Sequence, residues 1–413
     1  MSRRKVLLAA FLLAGMSMWN ACGTAEQKTA IRQEPAETAE TAETAETDDA
    51  GQTEQETETE EPAEAPDLHA YDFTVAFAGD INLADNWSTM EYYEQQENGI
   101  YDCIDPELIR RMQEADLTCV NLEFCMSDRG TPMEGKKYTF RAKPERVEIL
   151  KELGVDLANL ANNHIYDYGT DAFLDTLDIL DAGGIAHAGA GKDAAEAEEP
   201  FYTELDGRTV AVVSATRAEK FILTPEAGED SPGVFRCYDM TKVLQKVQEA
   251  KEKADFVITY IHWGTEYSET LEAAQTDGAR ELIDAGADVV LGAHSHCLQG
   301  MEYYNGKPIL YSLGNYWFNE KTLDTILAEL HFYGNDEEQH LEVTAVPARQ
   351  EAHYTRLLTE RQEVETWNRH VEGMEPHTIK IDEEGIIRDG DQTGESEGTP
   401  ADEEAVSAGI SEE

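Results

Sequence analysis

Two histidines one residue apart, His294 and His296, follow the short apolar run Val289–Leu291 and its closing Gly292. In an extended or tightly turned segment alternate side chains point the same way, and a glycine lets the backbone come close to whatever they hold. The pair therefore suits two metal ions lying side by side, although two surface histidines in a loop have the same spelling. The pattern recurs along the chain. Asp80 follows Phe73–Ala78, Glu123 follows Leu117–Val120, Asn163 and His164 follow Val155–Leu160, and His262 follows Phe256–Ile261. Each run reads as a buried strand, and ligands of open α/β sheets gather at the carboxyl ends of strands. With His164 set aside, two carboxylates, one amide and three imidazoles form a mixed oxygen and nitrogen set for two borderline divalent ions, with manganese, zinc and iron all compatible. Singly the pieces have plainer readings: Asp after Gly as a turn residue, Asn-Asn-His as a helix cap. Their joint recurrence at strand ends is what points to a site.

Strands that deliver such residues to one place need connectors, and the sequence supplies them. Residues 105–115, Pro144–Leu153 with proline in its first turn, Ala172–Leu180 closed by Gly183 and Gly184, Thr241–Lys253 and a stretch within Leu271–Ala285 read as helices. Thr209–Val213 adds a strand, and Pro308–Leu313 is a second apolar run ending at Gly314 and Asn315. Strands alternating with helices over short links predict an α/β fold with a largely parallel or mixed sheet. Past Leu327 the pattern alternates as strands do, in Leu341–Val346 and Ile379–Ile381, with a helix expected near Thr355–Val371.

The formal net charge of the 413 residues is −53. Residues 1–66 and 389–413 carry −9 each, which leaves −35 on the body, 67–388. Such a body repels nucleic acid and anionic lipid headgroups, and a nucleic-acid partner is excluded on that ground. Arg3, Arg4 and Lys5 precede the apolar run Val6–Met18 and then Ala21-Cys22-Gly23, the layout of a secretory signal with Cys22 where a bacterial lipoprotein is cleaved and acylated. An uncleaved anchor and ordinary secretion are the alternatives. Residues 23–66 repeat Ala-Glu-Thr and hold almost nothing apolar, so they read as a disordered acidic tether, and 389–413 as a tail of the same kind. This organisation places a folded domain, 67–388, on the outer face of the bacterial cytoplasmic membrane. With Cys22 set aside, five cysteines remain without a CxxC pair, which is no disulfide framework.

Gly79-Asp80, Asn121-Leu122-Glu123, Leu160–His164 with Asp167 and Gly169, His262-Trp263-Gly264 with Glu266 and Tyr267, Gly292–His296, and Ser312–Asn315 together resemble the CapA family of capsule-synthesis proteins, within the calcineurin-like metallophosphoesterase superfamily. Phe140–Glu145 is similar to the same family. The resemblance implies a four-layer α/β/β/α sandwich with a dinuclear site between loops. Asp80 and His296 would then serve one divalent ion and Asn163, His262 and His294 the other, with Glu123 as the bridging carboxylate. His164 matches the histidine that protonates a leaving group or steadies the substrate, tasks to which an imidazole is suited. Arg141 is singled out for a substrate carboxylate or phosphate, a surface salt bridge being the other reading. Asn82 stands where a ligating histidine commonly follows the first Asp, and Glu123 replaces an Asp. Trp263 reads either as a wall of the site or as a core residue, and His187 as structural. The implied partners are poly-γ-glutamate or a phosphoester substrate, with membrane synthase subunits beside it. The expected activity is that of a metal-dependent hydrolase; the competing expectation is a non-catalytic metal-binding subunit of a polymer synthase.

Overall fold

Within Tyr71–Ile81 (β1) the side chains of Phe73, Val75 and Phe77 enter one apolar cluster, and those of Ala76 and Ala78 enter another. A strand buried on both faces in this way has to sit between two layers, and that requirement sets the architecture. The computed structural model describes residues 69–219 and 223–390. The signal segment, Cys22, the linker 23–66 and all but the first two residues of the tail 389–413 lie outside the described residues.

The chain first lays down β1, the helix Pro106–Glu114 (α1), Leu117–Leu122 (β2), the short helix Val147–Glu152 (α2), Leu157–Asn159 (β3), Thr170–Gly183 (α3) and Ala186–Ala188 (β4). β1, β2, β3 and β4 run parallel in that order. The chain then builds a second sheet from Phe201–Leu205 (β5), Arg208–Thr216 (β6), helix Thr241–Lys251 (α4), Phe256–His262 (β7), helix Ala273–Ala285 (α5), Val289–Ala293 (β8), Met301–Tyr304 (β9) and Lys307–Leu310 (β10). Its spatial order is β9-β10-β8-β7-β6-β5, parallel inside and antiparallel at both edges. Asn315–Trp317 (β11) returns to pair with the end of β1. Leu323–Gly334 (β12), Gln339–Glu351 (β13) and Tyr354–Leu357 (β14) then extend the first sheet antiparallel beyond β1, and helix Arg361–Glu372 (α6) follows.

Three cores separate four layers. Leu108, Ile109, Met112, Leu150, Phe173 and Leu177 of α1–α3 cover the outer face of the first sheet. Phe73, Phe77, Ile258, Tyr260, Leu291 and Phe332 join the two sheets. Val243, Val247 and Leu282 of α4 and α5 cover the outer face of the second. Full burial of side chains of this size contributes about 1.5–3 kcal/mol each. The fold is thus the expected α/β/β/α sandwich.

Three expectations change in detail. The helix expected from Thr355 begins only at Arg361, because Thr355 pairs with Gln350 across β13–β14 and its hydroxyl is tied to the Tyr316 carbonyl. Pro144–Arg146 is a 3₁₀ turn, and regular helix starts at Val147. Of the apolar run Pro308–Leu313 only the part to Leu310 is strand, and the chain then turns toward Ser312, which hydrogen-bonds Ser295.

Candidate metal centre

The parallel strands of both sheets end at one place. Asp80 is the penultimate residue of β1, Glu123 lies just past β2, Asn163 and His164 past β3, His262 at the end of β7, and His294 and His296 past β8. The sequence-predicted ligands therefore meet, and all are buried: Asp80, Glu123 and His262 entirely, His296, Asn163, His164 and His294 to within a few per cent.

Glycines make the meeting of strands possible. A Cβ on Gly79 would stand 1.9 Å from the Gly314 carbonyl oxygen, the same oxygen that accepts the Asp80 amide at 2.9 Å. A Cβ on Gly292 would stand 1.9 Å from the Tyr311 carbonyl. These glycines serve close strand contact rather than a direct backbone approach to metal. His294 and His296 both adopt positive φ, 92° and 57°, a region that non-glycine residues enter at a cost.

Two groups of ligand atoms form, and they share one carboxylate: Asp80, Glu123 and His296 in the first, Glu123, His262 and His294 in the second, with donor atoms within 4.8 Å of one another in each. Asn163 Oδ1 lies 2.8 Å from His262 Nε2, in the second group. His296 turns Nδ1 to Asn315 Oδ1 at 2.9 Å, which leaves Nε2 facing Glu123 Oε1 at 3.7 Å. Asp80 Oδ2, Glu123 Oε1 and His294 Nδ1 are buried with no hydrogen-bond partner. Burial, then the Asp80 charge, pushes the Glu123 carboxyl well above its usual range. Burial and neighbouring imidazoles push His262 and His294 well below theirs. Buried carboxylate oxygens without a partner on Asp80 and Glu123, and a free lone pair on His294 Nδ1, are groups that a bound cation satisfies. The donor set fits divalent metal.

His164 stands beside this set. Its Nδ1 donates to Asp167 Oδ2 at 2.7 Å, and Nε2 faces Glu123 Oε1 at 3.8 Å. Three sets of supporting contacts were given no role by the sequence. Asn121 donates to Asp80 Oδ1 at 2.7 Å, also reaches His262 Nδ1 at 3.3 Å, and is itself held by Asn159. Lys136, its side chain 5% exposed, ties the Asn163 carbonyl to Asp167 at 2.5 Å and to Glu219 at 3.3 Å. Phe140 and Phe318 pack on His164 and His296, each at 4.5 Å between ring centroids. The asparagines at the ends of β2 and β3 carry a readable signal, polar residues closing apolar runs; Lys136 carries none.

Arg141 bonds the carbonyls of Arg129 and Gly130 and lies 4.3 Å from the Tyr168 ring, so it forms neither a described salt bridge nor a contact with the ligands. Trp263 is a core residue, fully buried, its indole donating to the Tyr311 carbonyl. Asn82 spends its Oδ1 on the Ala84 amide. The five described cysteines are free and buried, and no described helix is long and apolar enough to cross a membrane.

Fold and ligand set together define the class: an α/β/β/α sandwich with a carboxylate shared between two candidate metal-ligand groups. The chain belongs to the bacterial capsule synthesis protein family PGA_cap, whose pattern matches residues 74–320. It is 30% identical over 283 residues to the PGA biosynthesis protein CapA of Bacillus subtilis, covering 66% of this chain and 72% of that one. It is 33% identical over 206 residues to the capsule biosynthesis protein CapA of Bacillus anthracis, covering 48% of this chain and half of that one. Among solved structures, the NAD nucleotidase of Haemophilus influenzae aligns over 74% of this chain and 64% of its own at 10% identity and a TM-score of 0.40. The 5'-nucleotidase of Candida albicans aligns over 67% and 52% at 13% identity and 0.39. Likenesses that slight carry no functional conclusion.

Proposed function

We propose that this protein acts in the synthesis or export of a poly-γ-glutamate capsule at the bacterial cell surface, through a dinuclear divalent-metal centre of hydrolase type. The observation that carries the reading is the shared Glu123 between two buried ligand groups, in a chain of the capsule-synthesis family. One ion would be held by Asp80, Glu123 and His296, the other by Glu123, Asn163, His262 and His294. Bound there, divalent ions supply Lewis acidity toward the oxygen of the group attacked and a lowered pKa for water.

The chain's own residues do the rest. Asp167 fixes the His164 tautomer by accepting from Nδ1, which turns Nε2 toward the shared carboxylate, where a substrate's leaving atom would have to lie. Lys136 compensates the Asp167 charge, so that Asp167 orients His164 without standing as an isolated buried anion. Phe140 and Phe318 exclude water from the two edge histidines. A carboxylate-rich chain is repelled by most of a body carrying −35, which favours brief contact with the nascent polymer at a cationic spot over storage along the surface.

The decisive assay is turnover by the manganese- or zinc-loaded protein on poly-γ-glutamate and on a phosphodiester dye. His164→Ala should cut turnover by roughly 10²–10⁴-fold while metal content stays unchanged. No turnover on either substrate with metal bound selects the second reading, a non-catalytic subunit whose ions hold polymer carboxylates. Asn82 favours that reading, since its oxygen is committed to backbone where a further ligand is expected. Anchoring through a lipid on Cys22 belongs to the same proposal and is supported by the basic, apolar and small-residue order of the first 23 residues. Cys22→Ser should move the protein from the membrane fraction to the soluble one.

A further inference from the structure

Almost every described lysine has a carboxylate within salt-bridge distance, as a strongly acidic protein makes inevitable. Lys137 and Lys321 have none among the described residues; Lys253, over the Tyr202 ring, is the remaining exception. Both are exposed, and each is held over a tyrosine: Lys321 Nζ lies 3.2 Å from the Tyr267 ring centroid and Lys137 Nζ 4.6 Å from that of Tyr138.

Those two rings belong to the mouth of the metal centre. Tyr267 lies 5.5 Å from the His296 ring, and Tyr138 stacks at 6.5 Å on Phe140, which covers His164. Phe140 and Phe318 close the interval between them at 5.6 Å. One lysine thus stands on the His164 side and one on the His296 side of a single aromatic rim. Glu266, exposed and next to Tyr267 in the chain, is near enough to act on both Glu123 and Lys137.

Two features make this a built arrangement. Tyr267 sits at φ 57°, a conformation that a bulky residue adopts only when its surroundings impose it; its amide is bonded to the Ser295 carbonyl at 2.6 Å. A tyrosine face also orients an ammonium without neutralising it, whereas a carboxylate partner would cancel its charge. The lysines keep their net charge and free N–H donors for an incoming anion.

We propose that Lys137 and Lys321 form a two-point grip at the mouth of the metal centre that binds carboxylates of an acidic polymer chain on either side of the reacting segment. This rests on the capsule-polymer reading above and assigns the residues that select the substrate. Glu266 opposes the grip and limits its affinity, which suits a protein that must release the chain.

The test is fluorescence anisotropy of labelled γ-glutamate oligomers with the metal-loaded full chain, across a salt series, with polyphosphate of matched charge as a second probe. K137Q/K321Q should weaken oligoglutamate binding about tenfold and flatten its salt dependence. K137R/K321R should restore binding, and E266Q should tighten it. Melting temperature and metal content should not move in any of these variants. Wild-type binding that survives K137Q/K321Q undiminished overturns the grip and leaves the capsule reading standing. No binding of oligoglutamate by the wild type overturns both. Lysine-dependent binding of polyphosphate alone overturns the carboxylate assignment in favour of a phosphate chain.

Discussion

At the scale of single residues, the shared position of Glu123 makes a stoichiometric prediction. Glu123 belongs to both ligand groups, while Asp80 belongs to one and His294 to the other. Glu123→Gln should therefore depress metal content at both positions, and Asp80→Asn and His294→Ala should each remove about one ion, read by elemental analysis of protein reconstituted at saturating metal. Equal loss in all three would show a single ion. His187 offers a pH prediction away from the centre. Its ring is about nine-tenths buried, Nδ1 has no partner, and burial lowers its pKa despite Asp181 at 3.4 Å. A histidine held neutral in the fold takes up its proton in the unfolded chain first. Its stability contribution is complete above about pH 6.5 and is lost as pH falls below that. His187→Gln should accordingly lose less stability than the wild type between about pH 7.5 and about pH 5.5, by up to about 1.4 kcal/mol in urea titrations. What the sequence shows at this scale is chemistry at strand ends. Asp80, Glu123, Asn163, His262, His294 and His296 each announce themselves by closing an apolar run. Lys136 does not, because its burial arises from pairing with Asp167 and Glu219, residues far along the chain that only the finished fold brings to it.

Elements are positioned by contacts too close for side chains. Gly79→Ala places a methyl 1.9 Å from the Gly314 carbonyl that receives the Asp80 amide, so β1 and the loop before β11 must separate. The expected loss is about 3 kcal/mol, with the Asp80 ion lost as well. Gly207→Ala, in the β5–β6 turn at φ 80° with nothing within 4 Å of its Cβ, supplies the contrast. It should cost only the left-handed strain, about 1–2 kcal/mol, and leave metal content intact. Melts and metal analysis on the two variants read both effects. The elements themselves were legible wherever an apolar run ended in a turn residue, as β1, β2, β7 and β8 do. The division into two sheets came only through the family resemblance and not from the apolar pattern, since β1 and β7 are buried on both faces and show the same continuous apolar run whichever sheet they join. Thr355–Leu357 misled for another reason. The stretch continues into a helix-forming sequence, and only pairing with β13 holds it extended.

For the whole molecule, the governing quantities are the inter-sheet core and the charge. Tyr260 links them: its ring meets Phe77 edge-on at 5.3 Å across the two sheets, and its hydroxyl donates to the Ala78 carbonyl at 2.9 Å, next to Asp80. The candidate ligand groups thus lie at the seam of the sandwich, where separation of the sheets would pull them apart. Divalent ions should therefore stabilise the entire fold, by about 2.7 kcal/mol at a hundred times their dissociation constant. A chain with a net charge of −53 complicates the measurement, because any divalent ion also screens self-repulsion over the surface and raises the melting temperature without entering the site. The two contributions separate by saturation and by mutation. Surface screening should be mimicked by sodium chloride and should persist in Glu123→Gln. The site contribution should saturate, resist added salt and vanish in Glu123→Gln. Melting curves of both proteins against manganese, at low and at high sodium chloride, decide between them. A wild type whose manganese response is wholly reproduced by sodium chloride would mean that the ions bind the acidic surface and that the seam holds none.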